Sequence, residues 1–404
     1  MPRILVLNCG SSSVKFALFA LAGAGTEPHP PLCSGSASRL NDAARARLKL
    51  RLNGETLVEQ LGTTGYDNAI EVIVGHLRDR HLLDNLDVAG HRVVHGGDAF
   101  RTPTWIDSNV CAAIEHFADY APLHNPANLA GIRALQRLLP ALPQIAVFDT
   151  AFHTSLAPVA YHYAVPAEWY HRFGVRRYGF HGINHQAMAS TLPGLLGIDP
   201  DQLRAVSAHL GNGCSLCAIH GRQSVDTSMG FTPLEGLVMG TRSGDLDPGL
   251  HEYLCHRLNI SLEDLTALLN HEAGLKGVSG ISNDMRELLQ AATAGHTGAL
   301  LAVELFCYRL AKSIASYIVP LGRIDTIAFT GGIGENAAPV RERVIGYLHG
   351  LGFRLDLEAN SLHTNMPRNI AAPATPPVWI IPAREEWEIA SEAATLIHAT
   401  GLPS

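Results

Sequence analysis

Three turns built from small residues are the first features of this sequence whose residue types and spacing could do chemistry. They occupy residues 8–13, 211–213 and 331–334, and each contains glycine. A glycine backbone lets several N–H groups approach phosphate oxygens, and a helix that begins at such a turn adds its positive end. The same residues also form ordinary hairpin turns, so each turn alone is a weak signal, and only the three together favour phosphate binding. No Gly-Lys-Ser or Gly-Lys-Thr occurs in the chain, so any bound ATP would need a fold other than the Walker type.

Two arginines stand close to glycines and could hold anions. They are Arg92 and Arg242. An arginine fork can bind a carboxylate through two hydrogen bonds, or neutralise charge on a phosphoryl group in transit. The alternative is a structural salt bridge to the nearby Asp98 or Asp245, which is the commoner role of an arginine. The local sequence leaves both interpretations open.

Two carboxylates occupy the ends of predicted elements. The apolar residues 144–148 predict a strand, which delivers Asp149 at its carboxyl end, where α/β sheets place their chemistry. Glu385 opens the last predicted helix, and this position is ambiguous because acidic residues favour helix starts in any protein. The strand end favours a functional role for Asp149, and the role of Glu385 stays open.

Two pairs of potential metal ligands also occur. His181 and His185 could share a helix face, but the glutamate of a His-Glu-x-x-His zinc motif is missing. Cys214 and Cys217 lie on a predicted strand, where their spacing sends the side chains to opposite faces. We therefore expect neither a zinc hydrolase nor a redox or metal role for the cysteine pair.

The elements that must position these residues alternate between strands and helices, as α/β folds require. A strand, a small-residue turn and a second strand are predicted at residues 4–21, and the same order returns at 205–219. Two such hairpins, about half the chain apart, predict a duplicated α/β domain. Further strands are predicted at 90–94, 144–148, 326–329 and 378–381, and helices at 68–80, 108–116, 297–318 and 385–399.

Helix starts and loops can also be predicted from local signals. Ser108 and Asp284 are expected to cap helices, and Ser261 with Asp264 has the spacing of a capping box. The glycines at 331–334 predict a turn between a strand and a helix. Residues 365–377 are rich in proline and alanine and predict an exposed loop.

The composition narrows the possible functions. With 404 residues, 47% of them hydrophobic, the chain can form two or three globular domains. A net charge of −7 with 17% charged residues offers no basic surface for nucleic acid or an anionic membrane. Seven scattered cysteines fit a reducing compartment. No membrane span is expected, and Lys15 with the preceding polar turn argues against a signal peptide at 16–25.

An ordered set of short strings is similar to the signatures of the acetate kinase family. The strings are Asn-Cys-Gly-Ser-Ser-Ser-Val-Lys at 8–15, Gly-His-Arg-Val-Val-His-Gly-Gly at 90–97, Pro-Leu-His-Asn-Pro at 122–126, Phe-Asp-Thr-Ala-Phe-His at 148–153, Tyr-Gly-Phe-His-Gly at 178–182, His-Leu-Gly-Asn-Gly at 209–213, Thr-Ser-Met-Gly-Phe-Thr-Pro-Leu-Glu-Gly at 227–236 and Phe-Thr-Gly-Gly-Ile-Gly-Glu-Asn at 329–336. One string could arise by chance, but the ordered set spans nearly the whole chain.

This resemblance implies a fold and an activity. The fold would be α/β, a duplicated actin-like (ribonuclease H-like) arrangement of the acetate and sugar kinase, heat-shock protein 70 and actin superfamily, with ATP in the interdomain cleft. Residues 1–150 plus 385–404 would form the N-terminal acetate and sugar kinase-type domain, and residues 151–384 the nucleotide-binding domain. The implied activity is reversible, in-line transfer of the ATP γ-phosphoryl group to acetate with Mg²⁺, or Mn²⁺ in its place. The resemblance also implies a cytoplasmic homodimer, and the charge balance predicts no nucleic-acid or membrane partner.

The resemblance also assigns site residues. The catalytic residues would be Asp149, His181, Arg242 and Arg92. Arg92 and His124 would bind the acetate carboxylate, and Val94, Leu123, Phe180 and Pro233 would surround its methyl group. The nucleotide would contact Lys15, His209, Leu210, Gly211, Asn212, Gly213, Asp284, Met285, Arg286, Gly331, Gly332, Ile333, Gly334 and Glu335. Asn8 and Glu385 would hold the magnesium ion.

The role of Asp149 can be argued from the chemistry of the substrate. The family carboxylate at this position is usually called an acid or base. A carboxylic acid with a pKa of roughly 4 is already ionised at neutral pH, so no proton need be removed before attack. We therefore hypothesise that Asp149 mainly orients an arginine or the metal shell.

The sequence departs from the family pattern at two places and leaves two other functions open. Ile183-Asn184 stands where Thr-Ser is common. Around Glu385, Ala383-Arg384 stands where Thr-Asn is usual and Trp387 where leucine is common, so the local hydrogen bonds and the metal shell are not determined by the strings. A propionate kinase of the same family remains an alternative, since the two acids differ by one methylene. So does a nucleotide-dependent sensor that has lost catalysis.

Overall fold

The computed structural model describes residues 1–10, 12–21, 28–122 and 124–402. Its contacts divide the chain into two compact units. The first consists of Met1–Ala151 with Arg384–Ser404, and the second of Phe152–Ala383. Across these described ranges, every helix is too short or too polar to cross a lipid bilayer.

An eight-stranded sheet forms the first unit. Its strands are β1 (Arg3–Cys9), β2 (Ser13–Ala20), β3 (Cys33–Ser38), β4 (Arg47–Leu52), β5 (Glu55–Gln60), β6 (Val88–Val93), β7 (Thr104–Trp105) and β8 (Gln144–Phe148). Their spatial order is β5-β4-β3-β2-β1-β6-β8-β7. The strands from β1 to β5 are antiparallel neighbours, whereas β1, β6 and β8 run parallel. The carboxyl ends of β1, β6 and β8 therefore share one edge of the sheet.

Three helices of the first unit lie between its strands along the chain. They are α1 (Tyr66–Asp79), α2 (Ser108–His116) and α3 (Asn125–Leu138). Helix α1 is amphipathic, and its buried Ile70 and Ile73 pack in one cluster with Leu5 and Leu7 of β1. This cluster covers one face of the sheet.

A six-stranded sheet forms the second unit. Its strands are β9 (Arg204–Leu210), β10 (Cys214–His220), β11 (Gln223–Thr227), β12 (Thr326–Thr330), β13 (Arg368–Asn369) and β14 (Val378–Ile380), in the spatial order β11-β10-β9-β12-β14-β13. Its helices are α4 (Pro158–Tyr161), α5 (Ala167–Phe173), α6 (Gly182–Leu196), α7 (Gly249–Leu258), α8 (Leu262–His271), α9 (Gly274–Ser279), α10 (Met285–Thr293), α11 (Thr297–Ser316), α12 (Ile318–Leu321), α13 (Gly331–Asn336), α14 (Ala338–Tyr347) and α15 (Leu357–Ser361).

The last helix, α16 (Glu385–Thr400), belongs to the first unit. It packs against β1 and β6, and a Cβ added at Gly90 would lie 3.1 Å from Cγ2 of Ile389. Because helices cover both faces of the sheet, β1 is buried at consecutive residues, including Ile4 and Leu5. Its sequence is therefore a continuous apolar run instead of an alternating one.

The two sheets repeat the same core topology. The strands β3-β2-β1-β6-β8 and β11-β10-β9-β12-β14 have the same order, with two antiparallel pairs followed by two parallel pairs. The predicted duplicated α/β fold is confirmed. The capping box of Ser261 with Asp264 and the cap at Asp284 are also confirmed.

Four local predictions need correction. Asp107, whose carboxylate accepts a hydrogen bond from the N–H of Val110, caps α2 in place of Ser108, which is the first helical residue. The helix predicted to reach residue 318 ends at Ser316, and a short separate helix follows. The glycines at 331–334 lie inside α13. The loop predicted at 365–377 contains β13, which pairs with β14 and is followed by the fully buried Ile370.

Candidate active site

Three polar residues of the first unit meet at the carboxyl edge of its parallel strands. Asn8 lies near the end of β1, Arg92 lies on β6, and Asp149 directly follows β8. Since these strands are parallel neighbours, residues at their carboxyl ends are brought side by side although they are far apart in the chain. The strand-end position predicted for Asp149 is confirmed.

Arg92 and Asp149 form a buried ion pair. Nη2 and Nε of Arg92 donate to the same oxygen, Oδ2 of Asp149, at 2.5 and 3.1 Å. The Asp149 side chain is only 2% exposed and that of Arg92 18%. Burial alone would lower the pKa of Arg92, but the charges of Asp149 and Glu385 outweigh it and raise that pKa. Arg92 is therefore a fixed cation, and the alternative of a salt bridge to Asp98 is wrong.

Asn8 links this pair to the start of α16. Its Oδ1 accepts a hydrogen bond of 3.3 Å from Nη1 of Arg92, and its Nδ2 donates to Oε2 of Glu385 at 3.1 Å. Asn8, Arg92, Asp149 and Glu385 thus form one connected group of side chains. The amide oxygen of Asn8 faces the arginine and its amide nitrogen faces the carboxylate of Glu385.

Two asparagines of α3 hold the backbone that carries Val94. Oδ1 of Asn128 accepts from the N–H of Val94 at 3.0 Å, and Nδ2 of the same side chain donates to the carbonyl of Cys9 at 2.7 Å. Asn125 makes the equivalent bonds to the N–H and carbonyl of His95. Both asparagines are buried, and sequence reasoning missed them as supporting residues.

The residues predicted to bind acetate, either at its methyl group or, for His124, at its carboxylate, are found in both units. Val94, 5% exposed, and His124, at the start of α3, belong to the first unit. Phe180, 1% exposed, and Pro233 belong to the second. Leu123 lies outside the described residues.

The glycine turn that follows β9 and the glycine-rich start of α13 lie against each other in the second unit. Strands β9 and β12 are parallel neighbours, so the turn after Leu210 and the start of α13 meet at one edge. Gly331 has φ +77°, and an added Cβ would lie 2.8 Å from the carbonyl oxygen of Leu210. Only glycine fits both this conformation and this approach. The glycine turn after β9 and the glycine-rich start of α13 therefore lie together, and glycine-rich backbone of this kind can bind phosphate.

Two histidines and an arginine surround the first of these turns. The rings of His181 and His209 have centroids 4.5 Å apart. A Cβ added at Gly213 would lie 3.5 Å from both Nη1 of Arg242 and Cε1 of His181. Arg242 donates through Nη1 to the carbonyl of Pro233 at 3.3 Å. The structure therefore brings together five predicted site residues, namely His181, His209, Gly213, Pro233 and Arg242.

Arg242 has no carboxylate partner among the described residues. The nearby Asp245 accepts instead from the N–H of Gly236 at 2.8 Å, so the predicted alternative of a structural ion pair is wrong. Burial lowers the pKa of Arg242. A partly buried cation without a counter-ion is a suitable place for an anion.

The predicted nucleotide residues around α10 differ in accessibility. Asp284 caps the helix and binds the exposed side chain of Arg286 through two hydrogen bonds, of 3.0 and 2.6 Å. Met285 is 4% exposed, so its side chain belongs to the core. Asn283 donates to Oδ1 of Asn212 at 2.9 Å and joins this segment to the first glycine turn. Sequence reasoning missed Asn283.

Two further predicted site residues, Lys15 and Glu335, and two departures from the family pattern, Ala383 and Asn184, can also be located. Lys15 is exposed on β2 and pairs in register with Asn8. Oε1 of Glu335 accepts a hydrogen bond from the backbone N–H of Ala383 at 2.9 Å. Because the donor is the backbone, this bond does not depend on which side chain stands at residue 383. Asn184, the other departure, is 2% exposed and donates weakly to Oγ1 of Thr330 at 3.4 Å.

The comparisons with known proteins agree with one another. The sequence profile of the Acetokinase family matches residues 3–391. An acetate kinase from Deinococcus deserti is 49% identical over 398 residues, which are 98% of this chain and 98% of that protein. Among solved structures, a propionate kinase from Francisella tularensis is 40% identical with a TM-score of 0.90, covering 97% of this chain and 99% of that one. An acetate kinase from Porphyromonas gingivalis is 38% identical with a TM-score of 0.89, covering 98% of this chain and 100% of that one. The chain therefore belongs to the acetokinase family.

Proposed function

We propose that this chain transfers the γ-phosphoryl group of ATP reversibly to acetate, giving acetyl phosphate and ADP. The observation that carries the proposal is the similarity to acetate kinases along 98% of the chain at 49% identity. The two groups of charged residues, one in each unit, support it, because each has the chemistry that one of the two substrates needs.

The reaction asks for positioning and charge neutralisation. A carboxylate oxygen of acetate attacks the γ-phosphorus, the bond from that phosphorus to the β,γ-bridging oxygen breaks, and ADP leaves with that bond's electron pair. Acetate is already ionised, since its pKa is roughly 4, so no base has to remove a proton. Phosphoryl transfer passes through a loose in-line transition state whose charge must be neutralised.

Arg92 is the residue we assign to the acetate carboxylate. Asp149 engages its Nε and Nη2, and Nη1 reaches Asn8 only at 3.3 Å. A guanidinium held on one side by a buried carboxylate keeps a single orientation, and this lowers the entropy lost on binding. Asp149 then acts as a positioning residue, in agreement with the hypothesis drawn from the sequence. His124 would add to the anionic site.

His181 and Arg242 are assigned to the phosphoryl group in transit. Arg242 lacks a carboxylate partner among the described residues and stands beside Gly213. The glycine turns, residues 209–213 and 331–335, would hold the nucleotide phosphates through backbone N–H groups, and residues 284–286 would lie near the nucleoside. Lys15 would contribute charge near the phosphates.

Asn8 and Glu385 are the residues we assign to a magnesium ion. In the structure Nδ2 of Asn8 faces Glu385 and its Oδ1 faces Arg92, so the amide would have to turn over to offer its oxygen beside the carboxylate. Mg²⁺ prefers oxygen ligands, keeps several waters and takes one or two protein groups together with substrate phosphates. Among the described residues there is no group of three or more His, Cys, Asp or Glu side chains that could hold a metal ion. These side chains therefore do not form a complete set of metal ligands by themselves. When bound, the ion would neutralise phosphate charge. Mn²⁺ has the same ligand preference and could replace it.

A propionate kinase is the second candidate, and one observation favours it. The solved structure with a TM-score of 0.90 is a propionate kinase. Burying one added methylene changes the binding free energy by about 0.8 kcal/mol, which corresponds to less than a tenfold difference in affinity. The proposed methyl-binding residues, Val94, Leu123, Phe180 and Pro233, would decide the preference.

The test is acyl phosphate formation, trapped as hydroxamate. ATP and Mg²⁺ are supplied with acetate, propionate or butyrate, and kcat/KM is compared. If acetate leads or equals propionate, the proposal holds. A strong propionate preference would support the second candidate, and no product from any acid would favour a nucleotide-binding sensor.

A matched pair of arginine variants tests the assignment of Arg92. We expect Arg92→Ala to lower kcat/KM for acetate by at least about 100-fold, since a bound carboxylate loses its charged partner. Arg133→Ala removes an exposed arginine of the same unit, 2.9 Å from Glu115, and should leave the rate unchanged. Equal rates in the two variants would contradict the assignment.

We also propose a cytoplasmic homodimer, which rests mainly on family resemblance. Large apolar side chains are exposed on the second unit, among them Leu301 at 59%, Tyr308 at 50% and Val319 at 83%. Leu301 and Tyr308 are two helical turns apart on α11 and share a face. Exposed apolar patches mark association surfaces. Light scattering that returned a monomer's mass would contradict the dimer.

A further inference from the structure

A line of three buried side chains runs from the core of the second unit to the partly buried His181. Oγ of Ser207 lies 2.8 Å from Nδ1 of His185, and Nε2 of His185 lies 2.8 Å from Oγ of Ser215. The same Ser215 hydroxyl lies 2.9 Å from Nδ1 of His181. Ser207, His185 and Ser215 are each 0% exposed.

The fold places these residues next to each other for simple reasons. His181 precedes α6 in the left-handed region, with φ +57°, and His185 lies on the first turn of that helix. Ser207 on β9 and Ser215 on β10 are on antiparallel neighbours and point to the same face, because Ser215 pairs with His209 two residues along β9.

We propose that Ser207, His185 and Ser215 fix the direction of the hydrogen bonds in this line, so that His181 carries its proton on Nε2 and presents that N–H to the transferring phosphoryl group. Ser215 and His185 are then positioning residues for His181. The inference rests on the proposed role of His181 in phosphoryl transfer.

The direction follows from counting protons. His185 is neutral, since burial lowers its pKa well below 6.5, so it has one N–H and one acceptor nitrogen. In one direction, the Ser207 hydroxyl donates to Nδ1 of His185, Nε2–H of His185 donates to Ser215, and the Ser215 hydroxyl donates to Nδ1 of His181. Every buried proton then has an acceptor.

The opposite direction leaves a buried donor unsatisfied. His185 would then donate from Nδ1 to Ser207, and the proton of the Ser207 hydroxyl would need another acceptor. Among the described residues Ser207 has no other hydrogen-bond partner for its side chain. An unsatisfied buried donor is costly, so the first direction is favoured. In a neutral imidazole the opposite direction would also turn the lone pair of Nε2 of His181 towards the anionic phosphoryl group, which is repulsive.

The chain contains an internal reference for a tautomer measurement. His153 is 1% exposed, with Nδ1 at 2.8 Å from Oγ of Ser224 and Nε2 at 3.1 Å from the carbonyl oxygen of Phe180. A carbonyl can only accept, so His153 carries its proton on Nε2 whatever its neighbours do.

The experiment is nitrogen NMR of the full chain with labelled histidines, without substrates. The expected result is that His181 and His185 both give the Nε2–H signature of His153, and that Ser215→Ala shifts the His181 Nδ1 resonance while the His153 signals stay. A proton on Nδ1 of either ring, or a doubly protonated His181, would overturn the proposal. Because no turnover is involved, this result is independent of the proposed activity.

Kinetics of three serine variants supply the second measurement. We expect kcat to fall about tenfold or more in Ser215→Ala, by analogy with loss of one transition-state donor, with KM for both substrates nearly unchanged. Ser207→Ala should have a smaller effect. The matched control is Ser224→Ala, which also removes a buried serine hydroxyl from a histidine but does not touch the line. If Ser215→Ala and Ser224→Ala lowered kcat equally, the line would have only a structural role.

Discussion

The substitution Asp149→Asn tests whether this carboxylate works through Arg92. It keeps the size of the side chain and removes the charge that holds Nε and Nη2 of the guanidinium. Both groups are largely buried, so the lost attraction is not screened by bulk water as it would be at an exposed ion pair.

The size of the effect follows from the geometry of the pair. Two unit charges about 4 Å apart attract by roughly 4 kcal/mol at the effective dielectric constant of about 20 that suits protein sites. Breaking a buried pair typically costs about 3–5 kcal/mol of folding stability. If all of that energy holds Arg92 in the orientation that binds acetate, its loss from the transition state sets an upper limit of roughly 100-fold to several thousand-fold on the fall in rate. Glu385 also attracts Arg92 and would recover part of the loss. We therefore expect kcat/KM for acetate to fall about 100-fold to 1000-fold in Asp149→Asn.

A double-mutant cycle separates positioning from a direct role. The kcat/KM for acetate is measured, by a coupled ADP assay, for the wild type, Asp149→Asn, Arg92→Ala and the double variant. If Asp149 acts only through Arg92, the double variant should be no slower than Arg92→Ala alone. Melting temperatures of all four proteins are compared, because Arg92→Ala leaves a buried carboxylate without its partner.

Two results would refute this reasoning. If the losses in the two single variants simply added in the double variant, Asp149 would contribute independently of Arg92. If Asp149→Asn kept a near-normal rate and a normal pH profile, the carboxylate would have no essential role.

Three further predictions concern the glycine turns, a buried histidine and a helix cap. Gly331→Ala should raise KM for ATP and destabilise the fold by roughly 1–2 kcal/mol, because the residue has φ +77° and its Cβ would meet the carbonyl of Leu210. Gly346→Ala, in the open part of α14, is the matched control and should be neutral or stabilising. Burial lowers the pKa of His91 from 6.5 to about 4, so the folded state disfavours the protonated imidazole. Above pH 6.5 this costs no stability, and the free energy of unfolding falls as the pH drops from 6.5 towards 4. In His91→Leu the fall of unfolding free energy in this window should be smaller by about 1.4 kcal/mol per pH unit, measured by urea titration. Ser261→Ala removes the capping box of α8 and should cost about 1 kcal/mol, read from urea unfolding.

Each of these has a clear contrary result. An unchanged KM for ATP in Gly331→Ala, with normal stability, would contradict the close approach of Gly331 to the carbonyl of Leu210. Equal pH slopes for His91→Leu and the wild type would mean that His91 titrates normally in the folded state. No loss of stability in Ser261→Ala would mean that the cap is replaced by water.

Local features of the fold could be predicted from the sequence because they depend on near neighbours. The two hairpins follow from short apolar runs around small-residue turns, and the cap at Asp284 follows from one side chain and the next N–H groups. Where such signals compete, the prediction fails. Ser108 has a good capping side chain, but Asp107 has one too and stands one residue earlier.

The choice of partners could not be predicted. Arg92 pairs with Asp149, 57 residues away, and not with the closer Asp98. Asn8 contacts Glu385 although 377 residues separate them. These contacts depend on the order of strands β1, β6 and β8 and on the return of α16 to the first sheet, which no local pattern contains.

The sequence by itself determined the α/β repeat, the strand end that carries Asp149 and, through its ordered strings, the family. Those properties depend on periodicity and on residue types at short spacing. Only the tertiary structure decided that Arg242 has no carboxylate partner among the described residues and that Ser215 stands between two histidines. The physical reason is that hydrogen bonds and ion pairs act within about 3–4 Å, so the packing of distant strands, and not the distance along the chain, selects the atoms that meet.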